Sequence, residues 1–279
     1  MAKELLRFID VERYPIDAPG SPAFSEVVAA GRRQLAASGA AELPGFLSAD
    51  GVDAMVADAR ALATRAFSSG GLGTAYLELP DEALFDAEHP RRRWMPYSVG
   101  AVAYDLMPRS SLLRSFYEAE EVRLLIEAIL DRGPLYRYGD PFGALNLAVM
   151  GAGDELQWHF DQTDFVVSLA IQAAASGGDF EVVPRTRSAA DERYEVIEGI
   201  LDGARDEVIT LPMTPGTLLV FEGRNSLHRV TPISGDEPRL VGLLGYDTSE
   251  GTMSSELLRA VRYGRSEPFA SPPVDWLGV

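Results

Sequence analysis

The chain has 279 residues, 46% of them apolar and 24% charged, with no cysteine and a formal net charge of −17. That charge argues against nucleic acid, where binding runs on phosphate neutralisation by Lys and Arg, and against an anionic membrane surface. The lack of cysteine removes disulfides, thiol nucleophiles, iron–sulfur clusters and cysteine–zinc sites together; with no signal-like N-terminus and no apolar run long enough to span a bilayer, the expected location is the cytoplasm.

The first part of the chain reads as mainly helical. Ser21-Pro22 forms a cap and first-turn pair, and apolar residues follow at helical spacing as far as Gly39. Pro44, Gly45 and Phe46 read as a short extended segment. From Ser48, the residues Val52, Met55, Val56, Ala59 and Leu62 recur at three- and four-residue steps, the buried stripe of an amphipathic helix. A third helix is expected over 120–130, ended by Gly133-Pro134.

After Pro141 the texture changes to short β-rich runs at 144–150, 165–172, 180–183, 208–211, 217–221, 228–230 and 240–246, separated by Gly and Pro. The stretch 189–203 interrupts them with helical spacing at Tyr194, Ile197 and Leu201, which suggests an inserted surface helix and a candidate lid. Helices first and strands later predict an α+β chain in one domain, 1–279. Residues 1–140 are the mainly helical support, 141–250 a jelly-roll core, and 251–279 a C-terminal helix with a Pro-rich tail from Ser266.

Only three histidines are present: His89, His159 and His228. His89 precedes Pro90 and reads as a loop residue. In Trp158-His159-Phe160-Asp161, residues two apart on an extended segment point to the same side, so His159 and Asp161 can present an imidazole and a carboxylate to one point. His228, from a distant strand, completes a face of three ligands. Two His and one carboxylate with the opposite positions open form the facial triad of non-haem Fe(II) oxygenases, the open positions being needed for a keto acid and for O₂. A His-x-Asp tripeptide alone carries little weight; the order of the set does. Arg239 follows, opening the run 240–246. A buried Arg at a strand start needs an anion, and its planar fork matches a carboxylate such as the distal group of 2-oxoglutarate. The competing reading is a surface Arg paired with Asp236 or Glu237.

Together these residues resemble the 2-oxoglutarate-dependent Fe(II) oxygenases, and more closely their branch of free-amino-acid halogenases and related hydroxylases. The residues that carry the closer resemblance are Ala103-Tyr104-Asp105, Asp140-Pro141 with Asn146, Trp158-His159-Phe160-Asp161, Gly177-Gly178-Asp179-Phe180-Glu181 with Pro184 and Arg187, and Pro215-Gly216-Thr217. Phe221-Glu222-Gly223-Arg224, Ser226-Leu227-His228-Arg229-Val230-Thr231 and Tyr263-Gly264-Arg265 complete it, over roughly residues 90 to 265.

The resemblance implies a double-stranded β-helix, the jelly roll already expected. It implies Fe(II) on His159, Asp161 and His228, with 2-oxoglutarate and O₂ as co-substrates and Arg239 on the keto acid. Asn146 could reach the co-substrate or only satisfy backbone in the sheet. Arg91, Arg92 and Arg93 could be a solvated basic loop, or Arg93 could clamp a substrate carboxylate beside Trp94. Trp158 should face away from the metal, and Gly177-Gly178 should be a turn.

Halogenases of this branch have a small residue where Asp161 stands, which frees a position for chloride. Keeping the Asp makes this chain look like a hydroxylase acting on a small molecule, a free amino acid or a derivative; ring closure or desaturation are alternative outcomes. Phe142 and Gln162 offer no charged handle, which argues against a lysine-like substrate. Outside the class stand a metal-dependent hydrolase, which has no need of Arg239, and a non-catalytic jelly-roll binding protein.

Overall fold

The computed structural model describes residues 2–268, so the expected loose tail lies mostly outside the described residues. The helices are α1 (Ala2–Leu6), α2 (Pro22–Ser38), α3 (Ala49–Ala63), α4 (Leu112–Glu118), α5 (Glu120–Leu130), α6 (Tyr194–Leu201) and α7 (Glu256–Tyr263). Their ends follow capping chemistry. Ser21 Oγ accepts from the Phe24 N–H at 3.1 Å, and Gly39 ends α2 in the left-handed region at φ 69°, its N–H returning to the Leu35 carbonyl. Ser48 caps α3 in the same way, and α3 buries Met55, Ala59 and Leu62, the stripe read from the sequence.

Eleven strands form one curled antiparallel sheet among the described residues. They are β1 (Ala40–Leu43), β2 (Phe67–Thr74), β3 (Trp94–Ala103), β4 (Leu145–Met150), β5 (Glu155–His159) and β6 (Val166–Gln172), followed by β7 (Phe180–Val183), β8 (Ile209–Leu211), β9 (Leu218–Phe221), β10 (Leu227–Val230) and β11 (Arg239–Leu244). The order is β1-β9-β6-β11-β4-β3-β5-β10-β7-β8, with β2 on the other edge of β3. The long β3 joins two layers: Gly100–Ala103 pair with β4, while Tyr97 and Ser98 pair with β5. Val99, Ala148, Met150, Leu219 and Phe221 from one layer pack against Phe180, Val182 and Val230 from the other, which is the interior of a jelly roll.

Alternation sorts the residues of each strand. In β9, Leu218 and Val220 face the helices and pack with residues such as Met55, Leu113, Phe116 and Ile126; Leu219 and Phe221 face the interior. Several interior positions are small: Ala101, Ala103, Ala148, Ser168 and Ala170 all lie on strands of this layer. Leu or Phe there would fill the space between the layers.

The expected helices that start at Pro22, after Ser48 and at Glu120, and most expected strands, stand within a residue or two of their predicted bounds, whereas the helix expected over 189–203 is confined to Tyr194–Leu201. The region before residue 141 differs: β1, β2 and β3 belong to the sheet, so that part is not only helical support. Phe67–Thr74 carries three glycines and no alternation, so nothing in its pattern marked it; it is extended because it runs antiparallel to β3 along its full length. Helix α6 forms where expected, but Ile197 and Ile200 pack with Trp158, Val183 and Leu227. Those residues alternate with His159, Val182 and His228, so α6 covers the outer face of its layer and is no lid over the inward-facing ligands.

Candidate metal centre

Strands β5 and β10 pair antiparallel with His159 and His228 as direct partners. Their rings are 4.3 Å apart, and Asp161, just past the end of β5, closes the group. One ligand atom from each of His159, Asp161 and His228 lies within 4.8 Å of the others. Backbone bonds place the three: the Asp161 N–H donates to the Gly223 carbonyl at 3.1 Å, and the Phe160 N–H to the Ala75 carbonyl at 2.7 Å.

Each imidazole is oriented by its own strand. His159 Nδ1 lies 2.7 Å from the Gln157 carbonyl, and His228 Nδ1 lies 2.8 Å from the Ser226 carbonyl. A carbonyl only accepts, so both Nδ1 atoms carry a proton, which leaves Nε2 as the atom of each ring that can turn to a cation. Removal of the His159 ring from water lowers its pKa to about 4, helped by His228 and by Arg262 and opposed by Asp161, so this ring is neutral at pH 7.

Asp161 Oδ2 is buried without a hydrogen-bond partner, and it lies 3.3 Å from His228 Nε2. A metal ion set against both atoms would satisfy the orphaned oxygen. The donor set of two imidazoles and a carboxylate, its fixed tautomers and its orphaned oxygen therefore fit a divalent iron site.

The outer face of the same strands is braced by charge. Arg229, adjacent to His228 and pointing the other way, donates to Glu181 Oε2 at 2.6 Å and lies over the Trp158 ring at 4.9 Å. Arg205 donates to the other Glu181 oxygen. Burial pushes the Glu181 carboxyl up, but Arg205 and Arg229 outweigh it and hold it below the usual range.

Arg239 is buried on β11 opposite Met150, an interior residue of β4, and shares that face with Val241 and Leu243. It makes no hydrogen bond or ion pair within the described residues, with Asp236 and Glu237 included, and Glu237 instead binds Arg60 at 2.5 Å. Burial lowers the Arg239 pKa to about 10 against the pull of Asp179.

Two glycines within the motifs that carry the resemblance clear the way for these side chains. A Cβ on Gly223 would meet Asp161 Oδ2 at 2.0 Å, and one on Gly178, at φ +71°, would crowd the Arg239 stem at 3.2 Å. The expected turn at Gly177-Gly178 is instead a short strand, Ser176–Gly177, paired with Ile233 and Ser234, followed by Gly178, which makes room.

Asn146 is buried on the interior face of β4; its Nδ2 donates to the Tyr263 hydroxyl at 2.9 Å while its Oδ1 has no partner. Phe142 is fully buried against Tyr263, and Gln162 is exposed.

The basic run is not brought to the triad. Arg91 is held by Glu78, Glu192 and Tyr194, Arg92 by Glu82 and the Phe85 carbonyl, and Arg93 by Asp202 at 2.6 Å and the Leu201 carbonyl. Arg93 and Trp94 line a surface pocket with Trp158 and Arg205, and none of the three candidate ligands borders it. Ion pairing has consumed the charge that a substrate carboxylate would need.

Comparison with known proteins gives a concordant picture. The family model described as Halogenase D matches residues 24–260. The fold is similar to that of AviO1 from Streptomyces viridochromogenes Tue57 (19% identity, 81% of this chain and 97% of that chain, TM-score 0.56). It is also similar to the non-heme alpha ketoglutarate dependent epimerase SnoN from nogalamycin biosynthesis (16%, 80% and 83%, TM-score 0.54). A third likeness is to EctD from S. alaskensis, solved with 2-oxoglutarate and 5-hydroxyectoine (17%, 85% and 79%, TM-score 0.52). At these identities the likeness is one of fold. No curated protein matches the chain at a significant level.

Proposed function

Since the chain belongs to the Halogenase D family, and is with it an Fe(II)- and 2-oxoglutarate-dependent non-haem dioxygenase, we propose that it hydroxylates a small free amino acid or a close derivative. In this reading His159, Asp161 and His228 hold the iron. The observation that carries it is the Asp161 carboxylate, aimed at the two histidines with an orphaned oxygen. A carboxylate there occupies the position a halide would take, and its charge opposes a second anion, so oxygenation is favoured over chlorination.

Iron with 2-oxoglutarate and O₂ supplies the oxidising power for C–H cleavage, the keto acid leaving as succinate and CO₂. The chain's own residues bind and orient. The Gln157 and Ser226 carbonyls fix the imidazole tautomers. Arg239 meets the distal carboxylate of the keto acid with a charge that has no internal partner to give up. The apolar interior around Phe180, Phe221 and Val182 keeps water from the reacting centre. No helix among the described residues is long and apolar enough to cross a membrane.

The test is incubation with Fe(II), 2-oxoglutarate, O₂ and a panel of amino acids, with succinate and substrate mass followed together. A product heavier by one oxygen, formed with succinate, is expected. Succinate-independent hydrolysis of the panel would point to water activation by the same ligands instead.

A further inference from the structure

The fold ends by laying α7 across β2 and β3, beside the interior face that carries Asn146. Along α7, Arg259, Arg262 and Tyr263 stand three and four residues apart on one side, while Leu257, Leu258 and Val261 are exposed. Two of the three inward residues have internal partners. Arg259 lies 3.3 Å from the buried carboxylate of Asp140, and Tyr263 receives the Asn146 amide and packs on Phe142. Arg262 has none. Among the described residues, every other arginine that is not exposed has a hydrogen-bond or ion-pair partner, except Arg239. In a chain with 42 acidic residues against 25 basic ones, a partly buried guanidinium left unpaired is a costly arrangement unless a ligand completes it.

We propose that Arg262 is the anchor for the α-carboxylate of the primary substrate, with the partner-free Asn146 carboxamide oxygen beside it to receive the α-ammonium. The proposal rests on the oxygenase reading above and specifies how its site recognises an amino acid. It separates two unpaired arginines by place. Arg239 sits on β11, deep between the layers, where a keto acid bound to the iron would extend; Arg262 sits on α7, partly buried and next to Tyr263, whose hydroxyl meets Asn146 on the interior face.

It also moves Asn146 from the co-substrate to the substrate. One end of the Asn146 carboxamide is held by the Tyr263 hydroxyl, and the other is free to accept from an ammonium. A zwitterion held at both charges by α7 and β4 would lie with its side chain free to extend towards the iron, and such two-point fixing decides which C–H bond is presented. Arg91, Arg92 and Arg93, the basic run nearest in sequence to a pocket, cannot take this part because each is already paired.

Calorimetric titration of the anaerobic protein loaded with Fe(II) and 2-oxoglutarate tests this without turnover. The probes are the proteinogenic L-amino acids and, for the tightest binder, its α-amide. Arg262→Gln should weaken binding of that amino acid at least about tenfold, the scale of a lost charged hydrogen bond, with Arg262→Lys in between. The α-amide should bind native and Arg262→Gln protein alike, and 2-oxoglutarate affinity should stay unchanged in both variants. If the amino acid binds Arg262→Gln as tightly as native protein, or its amide binds as well as the acid, the anchor is refuted while the amino-acid reading survives. If 2-oxoglutarate binds but no amino acid does, the substrate class itself is refuted and the anchor with it.

Discussion

Gly223→Ala probes the proposed metal centre without touching a proposed ligand. The new methyl carbon would fall 2.0 Å from Asp161 Oδ2 and 2.9 Å from its Cγ, whereas such contacts are not found below 3.0 Å. The carboxylate must therefore retreat by about 1 Å, several times the tolerance of about 0.2 Å on a metal–ligand distance. The backbone cannot absorb the shift cheaply, because the Asp161 N–H is bonded to the carbonyl of Gly223 itself. Loss of an orienting partner alone costs roughly 10–100-fold in metal affinity. Displacing the ligand should cost at least the upper figure, about 2.7 kcal/mol.

The assay is competition of Mn(II) or Co(II) against a chelator of known affinity, with thermal unfolding of the metal-free protein in parallel. Gly223→Ala should be both weaker in metal and less stable. Adding Asp161→Gly removes the clash and should restore stability but not affinity. A Gly223→Ala protein that holds metal as tightly as the native one would show that Asp161 Oδ2 does not reach the ion.

Arg239→Met should raise the melting temperature of the metal-free protein, because a buried cation without a partner is replaced by an apolar chain, while 2-oxoglutarate affinity falls by about 3–5 kcal/mol; unchanged affinity by calorimetry would remove Arg239 from the site. Glu181 has a folded pKa below its unfolded value of about 4.3, so its contribution is complete above that pH and lost as pH falls through the folded value. Glu181→Gln should cost about 1 kcal/mol near pH 7, its arginine partners being partly exposed, and should flatten the acid side of the stability profile; identical denaturant midpoints from pH 3 to about pH 7 would contradict this. The native enzyme should give no chlorinated product in excess chloride, whereas Asp161→Gly should lose most oxygenation; a chlorinated product from the native protein by mass spectrometry would overturn the role given to Asp161.

What could be read in the sequence was whatever has a local cause. Ser21 and Gly39 bound their helix through capping bonds within four residues, and His159-x-Asp161 places two side chains on one side through the pleat alone. What escaped was set by distant partners. The glycine-rich β2 is a strand only because β3 lies beside it. The short α4 is held by Asp58, which takes bonds from Ser111 and the Leu113 N–H. Arg93 looked like an anchor because its sequence neighbours are basic and aromatic; Asp202, which neutralises it, comes from just beyond α6. Arg262 gave no signal at all, since its interest lies in the absence of a partner, which only the packed chain reveals.

The direct pairing of His159 with His228 also sets an order of events during synthesis. The two strands come from distant parts of the chain, and the second imidazole has no fixed place until β10 lies between β5 and β7. A chain emerging N-terminus first can already bury α2, α3 and α5 and zip β3 to β4 and β5, all of them built from residues before 160. Once Asp161 is made it holds only two of the three proposed ligands, and Arg239 is still to come. Iron loading is thus confined to the stage after β10 has joined the sheet, and a nascent protein stalled before β10 would expose Asp161 and His159 without a centre able to retain the metal.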